Sequence, residues 1–305
     1  MPTESVVTPG VILGTLVLGT IIKFIVTSIL SRRRNGFHLV GTVTRLSVFP
    51  IKSCAGFAVD NGVCTEIGLL VHGITDRHWV VTDAKFNVLS QQQAPKLAIV
   101  KVECQGYELV INATGMPTLK LPTDCPVDQS KIVICNTGKN TLEGLDCGDE
   151  AGAWFSAYLH REGLRVLHSA PGLRKKRHIH RTPDAAFSDF CAYHVLPESS
   201  FARLDERLDE PTTIECFRPT ITDEWSEIRF GETTKLRCLY PTPRCTKVTV
   251  DQVTGVKNQS GEPLTTLRSF RCFPPYGQSP LLGVSAAIHT PGRINVGDPV
   301  YVKRK

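Results

Sequence analysis

The chain has 305 residues, 41% of them hydrophobic and 21% charged, with 24 Gly and 20 Pro. That length suits one large domain or two modest ones, and the Gly and Pro content is too low for a collagen-like or low-complexity chain. The formal net charge of +6 is local to Arg32–Arg34, Arg174–Arg177 with Arg181, and Lys303–Lys305, so the rest is mildly acidic and a broad nucleic-acid-binding face is excluded.

Val11 to Leu30 is a 20-residue apolar stretch interrupted by one charge, Lys23. As a helix it would span about 30 Å, enough to cross a bilayer. The segment before it is not basic, no small-residue cleavage site follows, and it runs directly into Arg32-Arg33-Arg34. Those features predict an uncleaved signal anchor in residues 1–35, with residues 35–305 on the cytosolic side.

The body then reads as two β-rich parts, 36–172 and 173–305. Residues 38–49 are rich in β-branched side chains and end at Pro50, and 62–72, 77–82, 97–104 and 107–113 read as further strands. Gln105-Gly106 predicts a hairpin turn and Asp83 to Asn87 another. Gly148 to Arg161 is the first good helix, with Ala153, Trp154, Ala157 and Tyr158 at helical spacing. A strand at 164–168 follows, then the basic stretch LRKKRHIHRTP, read as an interdomain linker or exposed loop. In the second part the pattern predicts a strand near Phe190–Leu196, a short helix capped by Ser199 and ending at Leu208, and strands near 213–217, 234–240 and Lys247–Val250. A turn at Asp251–Gly255, a helix near Pro263–Arg271 and short final strands complete it. The order is irregular rather than βαβ, which predicts an α+β, mostly β, barrel-like body preceded by one transmembrane helix.

The 11 cysteines are odd in number, scattered, and form no C-x-x-C. Zinc-ribbon, thioredoxin, iron–sulfur and c-type haem spacings are therefore absent, and most of the cysteines read as buried thiols of a reducing compartment. No G-x-G-x-x-G, H-E-x-x-H or G-x-S-x-G occurs, and Gly138-Lys139 is followed by Asn140 rather than the Ser or Thr of a P-loop. His178 and His180 lie in the basic stretch without a nearby carboxylate and read as solvated.

Eight short segments occur in one order along residues 38–302: Phe49-Pro50-Ile51-Lys52-Ser53-Cys54, Asp76 to Val81, Asp146-Cys147-Gly148, Phe187-Ser188-Asp189, Phe217-Arg218-Pro219, Pro243-Arg244-Cys245, Val250 to Gly255, and Val296 to Val300. As an ordered set they resemble the mitochondrial amidoxime-reducing component family, membrane-anchored members of the MOSC (molybdenum cofactor sulfurase C-terminal) group. The resemblance implies a β-rich MOSC N-terminal domain followed by a β-barrel-like MOSC domain, with a molybdenum cofactor (Mo-molybdopterin) held by one thiolate in the cleft between them. It implies reduction of N-hydroxylated compounds such as amidoximes and hydroxylamines. Cys245 takes the place of the metal-binding, catalytic thiolate, and a soft thiolate suits a redox metal. Lys52, Arg77 and Arg218 match cofactor-binding positions, where cationic donors suit the pterin's phosphate, and Ser53 can add a hydroxyl. Asp189 can accept from pterin ring nitrogens, while Cys191, Pro219 and Arg244 complete the cofactor-binding set.

The sequence departs from the pattern at Thr220, where Asn is usual, in the short stretch before Trp225, at Cys191, where Ser is commoner, and at Thr242-Pro243. The analogy supplies cytochrome b5 and NADH-cytochrome b5 reductase as partners, and the outer mitochondrial membrane facing the cytosol as the location, with the endoplasmic reticulum as the alternative. Two other classes stay open: a MOSC sulfur-carrier or cofactor-delivery protein, and an anchored cofactor-binding protein without reductase activity.

Overall fold

The computed structural model describes residues 36–137, 140–170, 172–173, 175–176, 186–187, 191–210, 212 and 224–305. The expected anchor at Val11–Leu30, the strand near 213–217, His178 and His180, and the site residues Asp189, Arg218 and Pro219 lie outside them. Among the described residues no helix is long and apolar enough to cross a membrane.

The largest sheet has six antiparallel strands in the order Phe37–Thr42, Pro299–Arg304, Trp225–Phe230, Thr234–Pro243, Leu281–Thr290 and Tyr193–Val195. Alternation along these strands sends Ile228, Phe230, Leu236, Val284, Ala286 and Val302 inward. They pack against Val48, Cys64 and Ile294, which come from the small sheets Leu46–Val48 with Phe57–Val59, and Gly292–Asn295 with Asn61–Thr65 and Gly68–Leu70. The barrel-like expectation is corrected here: among the described residues the six strands form an open sheet, its edges being Phe37–Thr42 and Tyr193–Val195. Closure needs edge strands long enough to pair, and Tyr193–Val195 has three residues and runs into Pro197.

A second apolar cluster holds Trp79, Val81, Leu97, Leu109, Ile111, Phe155 and Val166. It is built from Trp79–Thr82 and Arg165–His168, two strands of a sheet that continues through Asn140–Asp146 to Ile132–Thr137, with the three-stranded meander Lys101–Gln105, Glu108–Asn112 and Leu119–Pro122, and the helix Asp149–Leu159. That helix begins after Gly148 at φ 98° and ends at His160 in the left-handed region, inside the expected span.

Other expectations shift for local reasons. The strand expected over 97–104 splits, because Pro95 starts a 3-10 turn at Pro95–Ile99 before Lys101–Gln105. Residues 247–250 are not a strand: Thr249 Oγ1 donates to Thr246 O at 2.8 Å and holds a 3-10 turn over Thr246–Thr249. The second helix is Glu198–Asp205, and its N-cap is Pro197 rather than Ser199, because the fixed φ of proline sets the extended entry one step earlier. Within the basic stretch, Lys175–Lys176 is not loop but pairs antiparallel with Thr141 and Leu142. The closing strands include Leu281–Thr290, which at ten residues is not short.

Candidate functional site

The site is assembled around two loops, 49–54 and 244–252. The first loop runs beside Asp76–Trp79 and is bonded to it at four points. Phe49 N donates to Asp76 Oδ1 at 2.8 Å, Arg77 N to Phe49 O at 2.8 Å, Trp79 N to Pro50 O at 3.0 Å and Lys52 N to Trp79 O at 2.8 Å. Ile51 and Trp79 are fully buried beneath it. Ser53 at φ 75° and Arg77 at φ 54° both take the left-handed region.

The Lys52 side chain is buried, and Nζ donates to Phe187 O at 3.1 Å and Thr137 Oγ1 at 3.3 Å. Arg77 pairs with Asp76 at 3.1 Å, and its carbonyl accepts from Phe187 N at 3.1 Å. Phe187 thus ties the Lys52 ammonium to the Arg77 backbone.

The second loop leaves the long strand Thr234–Pro243. Arg244 is buried and donates from its side chain to Leu282 O at 2.8 and 3.0 Å, while its N–H donates to Pro280 O. Burial pushes the Arg244 guanidinium down to about 9; the Arg77 charge lowers it too, while Cys245 and Cys191 act in the opposite direction. Cys245 is exposed at the N-cap of Thr246–Thr249. Cys191 is fully buried, donates to Tyr193 O at 3.0 Å and lies 4.0 Å from His194 Nε2; burial pushes its thiol up.

Glutamine amides join the loops. Gln91 Nε2 donates to Ser53 O at 2.8 Å and to Gln252 Oε1 at 3.2 Å, and Gln92 Nε2 donates to Thr246 Oγ1 at 2.6 Å. These bonds tie the Lys52 and Ser53 loop to Arg77 and, through Gln91 and Gln252, to the loop of Arg244 and Cys245, while Cys191 reaches the strand before that loop through His194 and Thr242. Gln91, Gln92, Thr137, His194 and Ser285 were missed by the sequence reading, and Thr242 was noted only as a departure from the family pattern. The run Ser90-Gln91-Gln92-Gln93 between Leu89 and Ala94 carried a signal, since Gln91 is only 5% exposed and a buried amide needs partners. Thr242, Ser285 and His194 form a polar chain beneath the site, with 2.8 Å between the two hydroxyls and 3.4 Å from Thr242 to His194 Nδ1. An adjoining cavity of about 570 Å³ meets the site at Arg77 and His194, and Cys245 is not among its walls.

Residues 40–162 match the family described as MOSC N-terminal beta barrel domain, and residues 182–301 match the MOSC domain. Mitochondrial amidoxime-reducing component 1 of Mus musculus is 34% identical over 291 residues, which covers 89% of this chain and 85% of that protein. The chain belongs to the mitochondrial amidoxime-reducing component family. Mitochondrial amidoxime-reducing component 1 of Homo sapiens is also 34% identical, over 89% of this chain and 86% of its own. Component 2 of Bos taurus is 32% identical over 88% and 85%. Both loops fall inside the matched residues, the 49–54 loop in the N-terminal match and the 244–252 loop in the MOSC match, so in this amidoxime-reducing component relative the site is made jointly by the two.

Proposed function

We propose that this chain is a molybdenum-cofactor-dependent reductase of N-hydroxylated compounds, amidoximes and hydroxylamines, that takes electrons from cytochrome b5 and its NADH-dependent reductase at the cytosolic face of the outer mitochondrial membrane. The anchor is Val11–Leu30. The observation that carries the reading is the exposed Cys245 thiol next to the buried Arg244, in a loop that the Gln91–Gln252 pair joins to the loop holding Lys52. Relatives named for amidoxime reduction support the reaction class.

The donor set fits the cofactor. Among the described residues no group of three or more His, Cys, Asp or Glu side chains is placed to hold a metal ion. A metal at Cys245 would therefore draw its remaining ligands from a bound organic group. Around that thiol the chain offers cations and amide N–H donors, which suit an anionic ligand rich in oxygen and nitrogen acceptors. Cys245 serves as metal ligand and catalytic residue, Lys52 and Arg77 with Arg218 hold the phosphate, and Ser53 adds its hydroxyl. Asp189, Cys191, Pro219 and Arg244 complete the pocket, with Arg244 fixing the Cys245 loop through Leu282 O. When bound, the cofactor supplies the two-electron couple. The overall reaction breaks the N–O bond, consumes two electrons and two protons, and releases water and the reduced nitrogen compound.

The test is the full chain purified in detergent from cells that make the cofactor. Molybdenum and pterin are measured first, then benzamidoxime consumption with NADH, cytochrome b5 reductase and cytochrome b5. Cofactor with turnover is the expected result. Absence of molybdenum and pterin overturns the cofactor assignment, and cofactor without turnover favours the delivery or binding reading.

A further inference from the structure

We infer that the outward face of the six-stranded sheet, at the end where the chain enters it, lies against an anionic lipid surface and fixes the orientation of the site relative to the membrane. The register carries the argument. Ile228, Leu236 and Val302 point into the core, so their strand neighbours point out. Two outward rows follow: Phe37, Lys303, Glu227 and Arg237 in one, and Leu39, Tyr301, Arg229 and Lys235 in the next.

This face holds four cations against one carboxylate, and that carboxylate, Glu227, is 3.6 Å from Lys303. At the strand end Arg304 is matched by Glu224 at 3.8 Å. The apolar component is aromatic and aliphatic. The Arg229 guanidinium lies over Tyr301 at 4.2 Å and Phe37 at 5.2 Å, and Lys235 lies over Phe37 at 5.8 Å. Leu39 is 62% exposed beside them. Cations interleaved with aromatic rings and one exposed leucine are the chemistry of a headgroup interface.

The sequence places a membrane next to this face. Leu30, the last residue of the apolar stretch, is seven residues before Phe37, a distance that extended chain bridges by at most about 25 Å. Arg32–Arg34 add three cations within that reach. Arg237 and Cys245 are eight residues apart, on and just beyond one strand, so the reaction site sits up to roughly 26 Å away along the strand direction. The inference rests on the anchor reading of Val11–Leu30.

The test is the full chain reconstituted in vesicles of phosphatidylcholine, with or without phosphatidylserine, followed by amide hydrogen exchange. Each Lys or Arg near an anionic surface favours contact by about fivefold. Exchange in Phe37–Thr42 and Pro299–Arg304 is expected to slow by about that factor or more with phosphatidylserine, to recover in high salt, and to lose the difference in the Lys235→Glu, Arg237→Glu, Lys303→Glu triple variant. A variant carrying only Lys120→Glu, elsewhere on the surface, should keep it. Equal exchange in both vesicle types overturns the orientation while leaving the anchor standing. Release of the chain from both vesicle types by alkaline carbonate overturns the anchor and the orientation with it. Protection produced only by added cytochrome b5 overturns the lipid assignment in favour of a protein partner.

Discussion

Replacing His168 with Phe should remove a pH-dependent loss of stability from the folded chain. His168 is 5% exposed, and its ring stacks on Trp79 with centroids 4.5 Å apart and planes at 21°. The Trp79 carbonyl in turn receives the Lys52 N–H, so the stack lies under the candidate site. His168 Nδ1 is buried with no hydrogen-bond partner among the described residues, and burial pushes the imidazole down to about 4. An unfolded histidine titrates near about 6.5. Between those values the unfolded chain binds a proton that the folded chain refuses. The stability from the neutral ring is therefore complete above the unfolded value and is lost as pH falls toward and through the folded one. From about pH 7 to about pH 5 the loss is about 2 kcal/mol, from ~1.36 kcal/mol per unit. A phenyl ring keeps the stack, forfeits no hydrogen bond and cannot titrate; its slightly larger volume acts equally at both pH values. The assay is urea unfolding of the full chain and of His168→Phe at those two pH values, compared as a difference of differences. An unchanged fall in the variant would refute the assignment of that pH dependence to His168.

Cys245→Ser should fold and retain pterin through Lys52, Arg77 and Arg218, yet lose benzamidoxime reduction, because a hard, weakly acidic hydroxyl replaces a soft ligand. Cys191→Ser should keep turnover, since a hydroxyl can take over the donation to Tyr193 O; turnover in the first variant, or its loss in the second at equal cofactor content, contradicts the assignment. Lys52→Ala strips Phe187 O and Thr137 Oγ1 of a buried donor, at about 1–3 kcal/mol, and should lower molybdenum and pterin content. Lys120→Ala breaks only the exposed 2.8 Å pair with Glu108, worth at most about 1 kcal/mol, and should leave that content unchanged; equal losses in both variants would sink the phosphate role. Gly152→Ala reverses the usual sign of a helical glycine replacement. In an open helix alanine gains about 1 kcal/mol. Here the new Cβ would stand 2.5 Å from Leu164 O, so thermal melting should show a net loss of about 1–3 kcal/mol, and an equal or higher melting point would disprove the contact.

The sequence by itself determined the features that local chemistry settles. The Gln105-Gly106 signal gave the hairpin, with Gly106 at φ 61° and Gln105 opposite Glu108. Asp83 closes its turn by accepting from Lys85 N and Asn87 N, and Asp251 does the same for Val253 N and Thr254 N. The helix Asp149–Leu159 was legible too, but of the residues read at helical spacing only Trp154 is buried, with Phe155 beside it, and Ala153 and Ala157 are exposed. The loops that carry Lys52, Arg77 and Cys245 were also legible, as short ordered segments. Only the tertiary structure decided how these pieces meet. Phe37 pairs with Lys303, and Asn61 with Asn295, across more than two hundred residues, and neither strand's own alternation names its partner. The Gln91–Gln252 bridge, the burial of Lys52 against Phe187 O and the turning of Arg244 to Leu282 O are equally non-local. Turn and helix signals work over a few residues because they fix backbone dihedrals. Strand partnership and the burial of a cation depend on which distant surface closes over it, and that is settled when the whole core packs.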